Sequence, residues 1–150
     1  MVEIVPHAAV WAPGFAREAL LLQSALKPWL VAPVEHIGST AVPGLSAKPV
    51  IDIMAPVNDL ESSRGAIAAV QSVGYCYYPY KPEEMHWFCK PSPSVRTHHL
   101  HVVIWGSAIW QDRLAFRDAL RSTPALARAY EGLKQSLATK YPNDREGYTQ

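Results

Sequence analysis

The eighteen residues from Glu35 to Asp52 constrain this chain more than any other segment, because a strand, a small-residue turn, a proline-bounded connection and a second strand follow one another directly. Val34 to Ile37 reads as the first strand. Pro49 to Val57 reads as the second, an almost continuous apolar run of the kind buried on both faces of a sheet. Asp52 interrupts that run. An ionised carboxylate there costs several kcal/mol unless it is paired, hydrogen-bonded or bound to a metal. Between the strands, Gly38, Ser39 and Thr40 permit close backbone approach and supply N–H donors and two hydroxyls, a chemistry suited to a phosphate beside an acid. The same residues, with Pro43-Gly44, are also ordinary turn formers.

Composition narrows the partners. The 150 residues are 49% hydrophobic, enough for one domain with its own core. Lys and Arg total 14 against 13 Asp and Glu, so no general basic field attracts nucleic acid or an anionic membrane, and a small nucleotide-like anion would need a local cluster of cations. Cys76 and Cys89 fit no zinc spacing and no disulfide framework, which points to a reducing cytoplasm. Neither a leader peptide nor a run of membrane-spanning length is visible.

Apolar spacing predicts a helix over 13–26 with Phe15, Leu20, Leu22 and Leu26 inward, and a second helix capped by Asn58 and closed by Gly74. Tyr75 to Tyr80, Met85 to Lys90 and Arg96 to Trp105 read as an antiparallel meander. Ser107 caps a helix to about Arg121, with Ile109, Leu114, Phe116 and Leu120 as candidate buried positions. Thr123-Pro124 opens another that carries Leu126, Tyr130, Leu133 and Leu137 as far as Lys140. The expected class is α+β, a mixed α/β sheet flanked by helices, in a single domain over 1–150. Asp144-Arg145-Glu146 resembles the start of one more helix, so a shortened chain is expected.

Asp52 needs partners, and Arg96-Thr97-His98-His99-Leu100-His101 offers them. On a strand His99 and His101 share one face, roughly 6.5–7 Å apart along the backbone, and with Asp52 they could converge on a transition metal. Hydrogen bonding without a metal explains the same residues. Lys48, Arg96 and Arg145 are candidate anion contacts. Glu35 and His36 alternate on the first strand, and His36 is a candidate acid, base or ligand. The aromatic set Tyr75, Tyr77, Tyr78, Tyr80, Trp87 and Phe88 reads as cross-strand packing before it reads as a base-stacking surface.

The run from Val34 to Leu45, with Lys48-Pro49-Val50-Ile51-Asp52-Ile53, closely resembles the signature of GrpB family proteins, a branch of the nucleotidyltransferase superfamily. His98-His99-Leu100-His101-Val102, Phe116-Arg117-Asp118-Ala119-Leu120-Arg121, and Asp144-Arg145 with Tyr148 extend the likeness along nearly the whole chain. The resemblance implies a nucleotidyltransferase-like fold and a last C-terminal helix beyond Gln150. It also implies a nucleoside triphosphate at Gly38 and Ser39, with Thr40 beside them, and a divalent metal, Mg or Mn and less readily Zn, at Asp52; where the family's third acid is expected, this chain offers His99 and His101 as ligands instead. Asp52 and His101 would be the catalytic pair, Lys48 and Arg96 the charge-offsetting cations, and Glu35 and His36 additional candidates. The pattern departs from the active superfamily at Met54, where a second acid would bind the second metal used in phosphoryl transfer. The functions the resemblance implies are nucleotidyl transfer to an acceptor, or binding of a nucleotide, a CoA-like molecule or a metal without turnover; the residues Asp52, His99 and His101 by themselves also allow metal-dependent hydrolysis.

Overall fold

A computed structural model describes residues 4–140, with side chains through 137. Helix α1 (Trp11–Ala25) precedes strand β1 (Glu35–Ile37), a 3-10 turn (Ser39–Ala41) and strand β2 (Ile51–Val57). Helix α2 (Gly65–Gln71) leads to the meander β3 (Cys76–Tyr77), β4 (Met85–Pro91) and β5 (Arg96–Ile104), and helices α3 (Ala108–Ser122) and α4 (Pro124–Lys140) follow. The five strands form one mixed sheet in the order β1-β2-β5-β4-β3. Only β2 and β5 run parallel; β1 and the meander pair antiparallel. The expected α+β class is thus met with a five-stranded mixed sheet. None of the described helices is long and apolar enough to cross a membrane.

Strand alternation sorts the sheet into two faces. Ile51, Ile53, Ala55 and Val57 of β2 join Leu100 and Val102 of β5 on one face, where Trp11, Ala19, Leu22 and Leu26 of the first helical segment and Ala66 and Val70 of α2 cover them. Each fully buried Leu there contributes about 1.5–3 kcal/mol. On the other face, Ile37, Met54, Met85, Trp87, Cys89 and Val103 pack under Trp110, with Ile109 and Leu114 of α3 at the edge. Asp52, His99 and His101 belong to this second face.

Several local expectations are corrected. Leu20 is 73% exposed, because the stripe facing the sheet runs through Trp11, Phe15, Ala19 and Leu22 instead. The second helix starts at Gly65, since Asp59 rather than Asn58 caps the preceding turn, its Oδ1 accepting from the Ser62 amide at 2.6 Å. Gly74, at φ +102°, ends it as expected. The third predicted strand shortens to Cys76 and Tyr77. Ser107 does cap α3, accepting from Trp110 N. Phe116, Leu126 and Leu133 are exposed, because α4 turns Ala127 and Tyr130 towards Val42, Leu45 and Leu120.

Candidate functional site

The register of the sheet sets the site. Reading straight across the five strands, Ile37, Asp52, His99, Cys89 and Cys76 lie opposite one another in one row. Glu35, Met54, His101 and Trp87 form the next row. Directly paired residues point to the same face, so Asp52 meets His99 beside it and His101 diagonally.

His99 Nδ1 lies 3.2 Å from Asp52 Oδ1, and His101 Nε2 lies 3.6 Å from the same oxygen. The first is a hydrogen bond; the second is a charge–dipole contact beyond bonding distance. Burial raises the Asp52 pKa, yet the polar contacts of the His101 and His99 rings outweigh it and hold the carboxyl well below the usual range. Burial pushes the His101 pKa down, only partly countered by Asp52, so this imidazole is neutral at pH 7. Its two ring nitrogens, and Nε2 of His99, are buried without a hydrogen-bond partner. Such orphaned polar atoms are uncommon and call for a ligand or water. Trp87 packs against His99 with ring centroids 5.1 Å apart, and the Arg96 guanidinium sits over Trp87 at 5.2 Å.

Gly38 closes one side of the site. It adopts φ +74° and ψ −173°, a region open almost only to glycine, and a Cβ built on it would fall 2.8 Å from Asp52 Oδ2. The turn that follows is held by Ala41 N donating to Gly38 O and Val42 N to Ser39 O. Ser39 is the next residue in that turn.

Cations come from α3 and α4. Arg113, Arg117 and Arg121 are spaced by four on α3 and share one helical face. Arg113 is near enough to His101 to help depress its pKa. Arg117 donates to Glu35 Oε1 at 2.7 Å and to His36 O at 3.0 Å, and Arg121 donates to Ala41 O at 2.8 Å. On α4, the Tyr130 hydroxyl faces Ser39, and burial raises its pKa. Lys134 is 4% exposed and donates to Ser46 O, while Glu131 accepts from Ser46 N. Burial first, then the charge of Lys48, brings the Lys134 pKa down to about 8. Beside the turn, a groove of about 440 Å³ is lined in part by Pro43, Leu45, Arg121 and Arg128.

The sequence-predicted residues separate accordingly. Gly38, Asp52, His99 and His101 converge, Ser39 meets the Tyr130 hydroxyl, Lys48 lies within electrostatic reach of Lys134, and Arg96 sits over Trp87. Three others do different work. Thr40 is buried, and its hydroxyl donates to Val50 O, so it accepts from His36 Nε2 at 2.9 Å; its hydroxyl serves the turn. His36 points to the opposite face, stacked on Phe15 with centroids 4.8 Å apart. Glu35 is engaged by Arg117. Arg145, with Asp144 and Tyr148, lies outside the described residues. Sequence reading missed Arg113, Tyr130 and Lys134; the four-residue arginine spacing on α3 and the Tyr130–Lys134 spacing on α4 were the available signals.

The donor set bears on metal binding. Among the described residues, no group of three or more His, Cys, Asp and Glu side chains is arranged to hold a metal ion. Met54, at the position where the resemblance implies a second acid, is wholly buried. A resident two-metal centre does not fit these residues.

The matches to known proteins run along nearly the whole chain. The family model described as GrpB protein matches residues 1–150. A UPF0157 protein of Pseudomonas aeruginosa is 41% identical over 99% of this chain, which spans 62% of that protein's length. The Glutamate-rich protein GrpB of Alkalihalophilus pseudofirmus is 33% identical over 99% of this chain and 87% of its own. In structure, the chain is similar to the conserved protein GrpB from Enterococcus faecalis, with a TM-score of 0.87 at 34% identity, covering 97% of this chain and 88% of that one. The family-model match over residues 1–150, the relative at 33% identity and the solved structure at a TM-score of 0.87 together place this chain in the GrpB family.

Proposed function

We propose that this chain is a nucleotidyltransferase-like domain that binds a nucleoside triphosphate, with the phosphates lying between the Gly38-Ser39 turn and the cations of α3 and α4. The observation that carries the reading is the close approach of Gly38 to Asp52, with Lys134 and Tyr130 within electrostatic reach of that carboxylate, Arg113 within reach of His101 and Lys48 within reach of Lys134. A phosphate and an ionised carboxylate repel unless a cation stands between them. Magnesium is usually held by one or two carboxylates together with substrate phosphates, so Asp52 alone suits a metal that arrives with the nucleotide. Such a metal would neutralise phosphate charge. The protein would supply the rest: Ser39 donates to a phosphate oxygen, Lys134 and Arg113 add charge, and the groove beside Arg121 and Arg128 takes an apolar or sugar moiety.

Buried Met54 favours binding without turnover, because two-metal transfer needs a second hard ligand. Neutral His101 beside ionised Asp52 favours a second reading, nucleotidyl transfer with His101 taking the acceptor's proton. One titration series separates them. ATP, GTP, CTP and UTP are added to the folded chain with Mg²⁺ or Mn²⁺, heat is recorded, and released pyrophosphate is assayed. Saturable heat without pyrophosphate supports binding alone, and pyrophosphate lost in Asp52→Asn supports transfer. Folded protein that yields no heat with any nucleotide and either metal would refute the proposal.

A further inference from the structure

Cys76 and Cys89 end the row that begins at Ile37 and passes through Asp52 and His99. They are directly opposed on antiparallel strands β3 and β4, and both contribute to the same apolar cluster. Their Cβ atoms therefore leave the sheet on one face. Tyr78 N donates to Trp87 O at 3.1 Å, and alternation two residues along makes Cys76 and Cys89 a hydrogen-bonded type of pair. Opposed residues of that type have Cα atoms about 5.5 Å apart, within the span of about 4.4–6.8 Å that a disulfide bridges. The two thiols differ in access. Cys76 is partly exposed, with Sγ 3.6 Å from Pro91 O, whereas Cys89 is wholly buried between Cys76 and His99.

We propose that Cys76 and Cys89 form a reversible cross-strand disulfide, with Cys76 as the attacking thiol and Cys89 as the resolving one. The oxidant is a low-molecular-weight disulfide of the glutathione type. The Cys76 thiolate attacks one sulfur of that disulfide, forming a mixed disulfide and releasing one thiol; the Cys89 thiolate then attacks Cys76 Sγ and releases the second. Two protein thiols lose two protons and two electrons, and one small disulfide becomes two small thiols. A short edge strand of two residues lets β3 adjust to the new bond. Because Cys89 is the direct cross-strand neighbour of His99, the bond forms one strand away from the Asp52–His99 pair, and the redox state of the edge reaches the candidate site through one residue.

The test equilibrates the full folded chain in glutathione mixtures of increasing oxidised fraction, traps remaining thiols by alkylation, and reads intact mass and non-reducing peptide maps. The expected product lacks two hydrogens, yields a peptide pair linking Cys76 to Cys89, keeps its far-ultraviolet dichroism, and reverts with dithiothreitol. Cys89→Ala should stop at one glutathione on Cys76, and Cys76→Ser should stay unmodified while folded. If either variant fails to fold, the wild-type chain decides alone. Glutathione accumulating on Cys76 of the wild-type chain without an internal link, or a folded dithiol persisting in the most oxidising mixture, would overturn the proposal.

Discussion

The Gly38 backbone abuts the Asp52 carboxylate, leaving 2.8 Å where a side-chain carbon on residue 38 would meet Oδ2. Two independent penalties therefore attach to any substitution there: a φ of +74° that other residues resist, and a collision with a charged group hydrogen-bonded to His99. Gly38→Ala should destabilise the chain by roughly 2–4 kcal/mol, as expected for backbone strain plus overpacking. Urea denaturation measures it. A loss below about 0.5 kcal/mol, the usual scatter of innocuous surface changes, would mean that the contact is not maintained in solution.

His36 gives a pH dependence. Burial depresses its pKa to about 4 from 6.5, with nearby Arg121 and Arg117 adding to the effect and Asp52 opposing it. The unfolded chain therefore takes up a proton at this residue as pH falls through 6.5, while the folded chain does not until about 4. Stability associated with His36 is complete above pH 6.5 and is lost on acidification between 6.5 and 4, by roughly 3 kcal/mol in all. His36→Gln keeps a donor for Thr40 and removes the titration. Its unfolding free energy should fall less steeply over that window than that of the wild type, and equal slopes would refute the assignment.

What was legible follows from the range of the interactions. Residues 35–57 encode the turn and the buried strand locally, through Gly38, the prolines and the apolar run, and the strand expectation there matched β1 and β2 closely. His99 and His101 were legible as one face because strand alternation is local. Their meeting with Asp52 needed the parallel pairing of β2 with β5, which places Asp52 opposite His99 across 47 positions of sequence. Lys134 and Tyr130 were not legible, because only the packing of α4 on Val42 and Leu45 brings them to Ser39 and Ser46. The same packing explains why Leu126 and Leu133, good core candidates by composition, face outward.

Lys134 should trade stability for binding. Its amine has a folded pKa of about 8 against 10.5, so it is charged and desolvated at pH 7. Between 8 and 10.5 the unfolded chain holds more protons, so the stability associated with this residue rises with pH across that window. Lys134→Met removes the desolvation penalty and also the bond to Ser46 O. The variant should be about 1 kcal/mol more stable than wild type at neutral pH, after subtracting a charged hydrogen bond, with the advantage disappearing as the pH approaches 10.5. Guanidinium melts at several pH values measure this. Weaker heat with nucleotide in the same variant would link the buried charge to the ligand.

Met54 decides how far the metal chemistry of the proposed fold extends. It has no exposed surface and packs with Ile37, Trp87 and Val103 on the face that also carries Asp52. A carboxylate at this position would enter an apolar cluster with Glu35 as its direct neighbour on one side and His101 on the other. Met54→Asp should therefore lose about 3–5 kcal/mol, the scale of an uncompensated buried charge, whereas Met54→Leu should lose less than about 1.5 kcal/mol. Manganese distinguishes two causes of that loss. If the cluster were a vacant second-metal site lacking only its ligand, Mn²⁺ would restore the aspartate variant, since a ligand of the folded state stabilises it by mass action. The expected result is no rescue at millimolar Mn²⁺, because the space beside Met54 is filled by Ile37, Trp87 and Val103 and the neighbouring Glu35 carboxylate is already held by Arg117, and full recovery would show that the packing had hidden a metal centre.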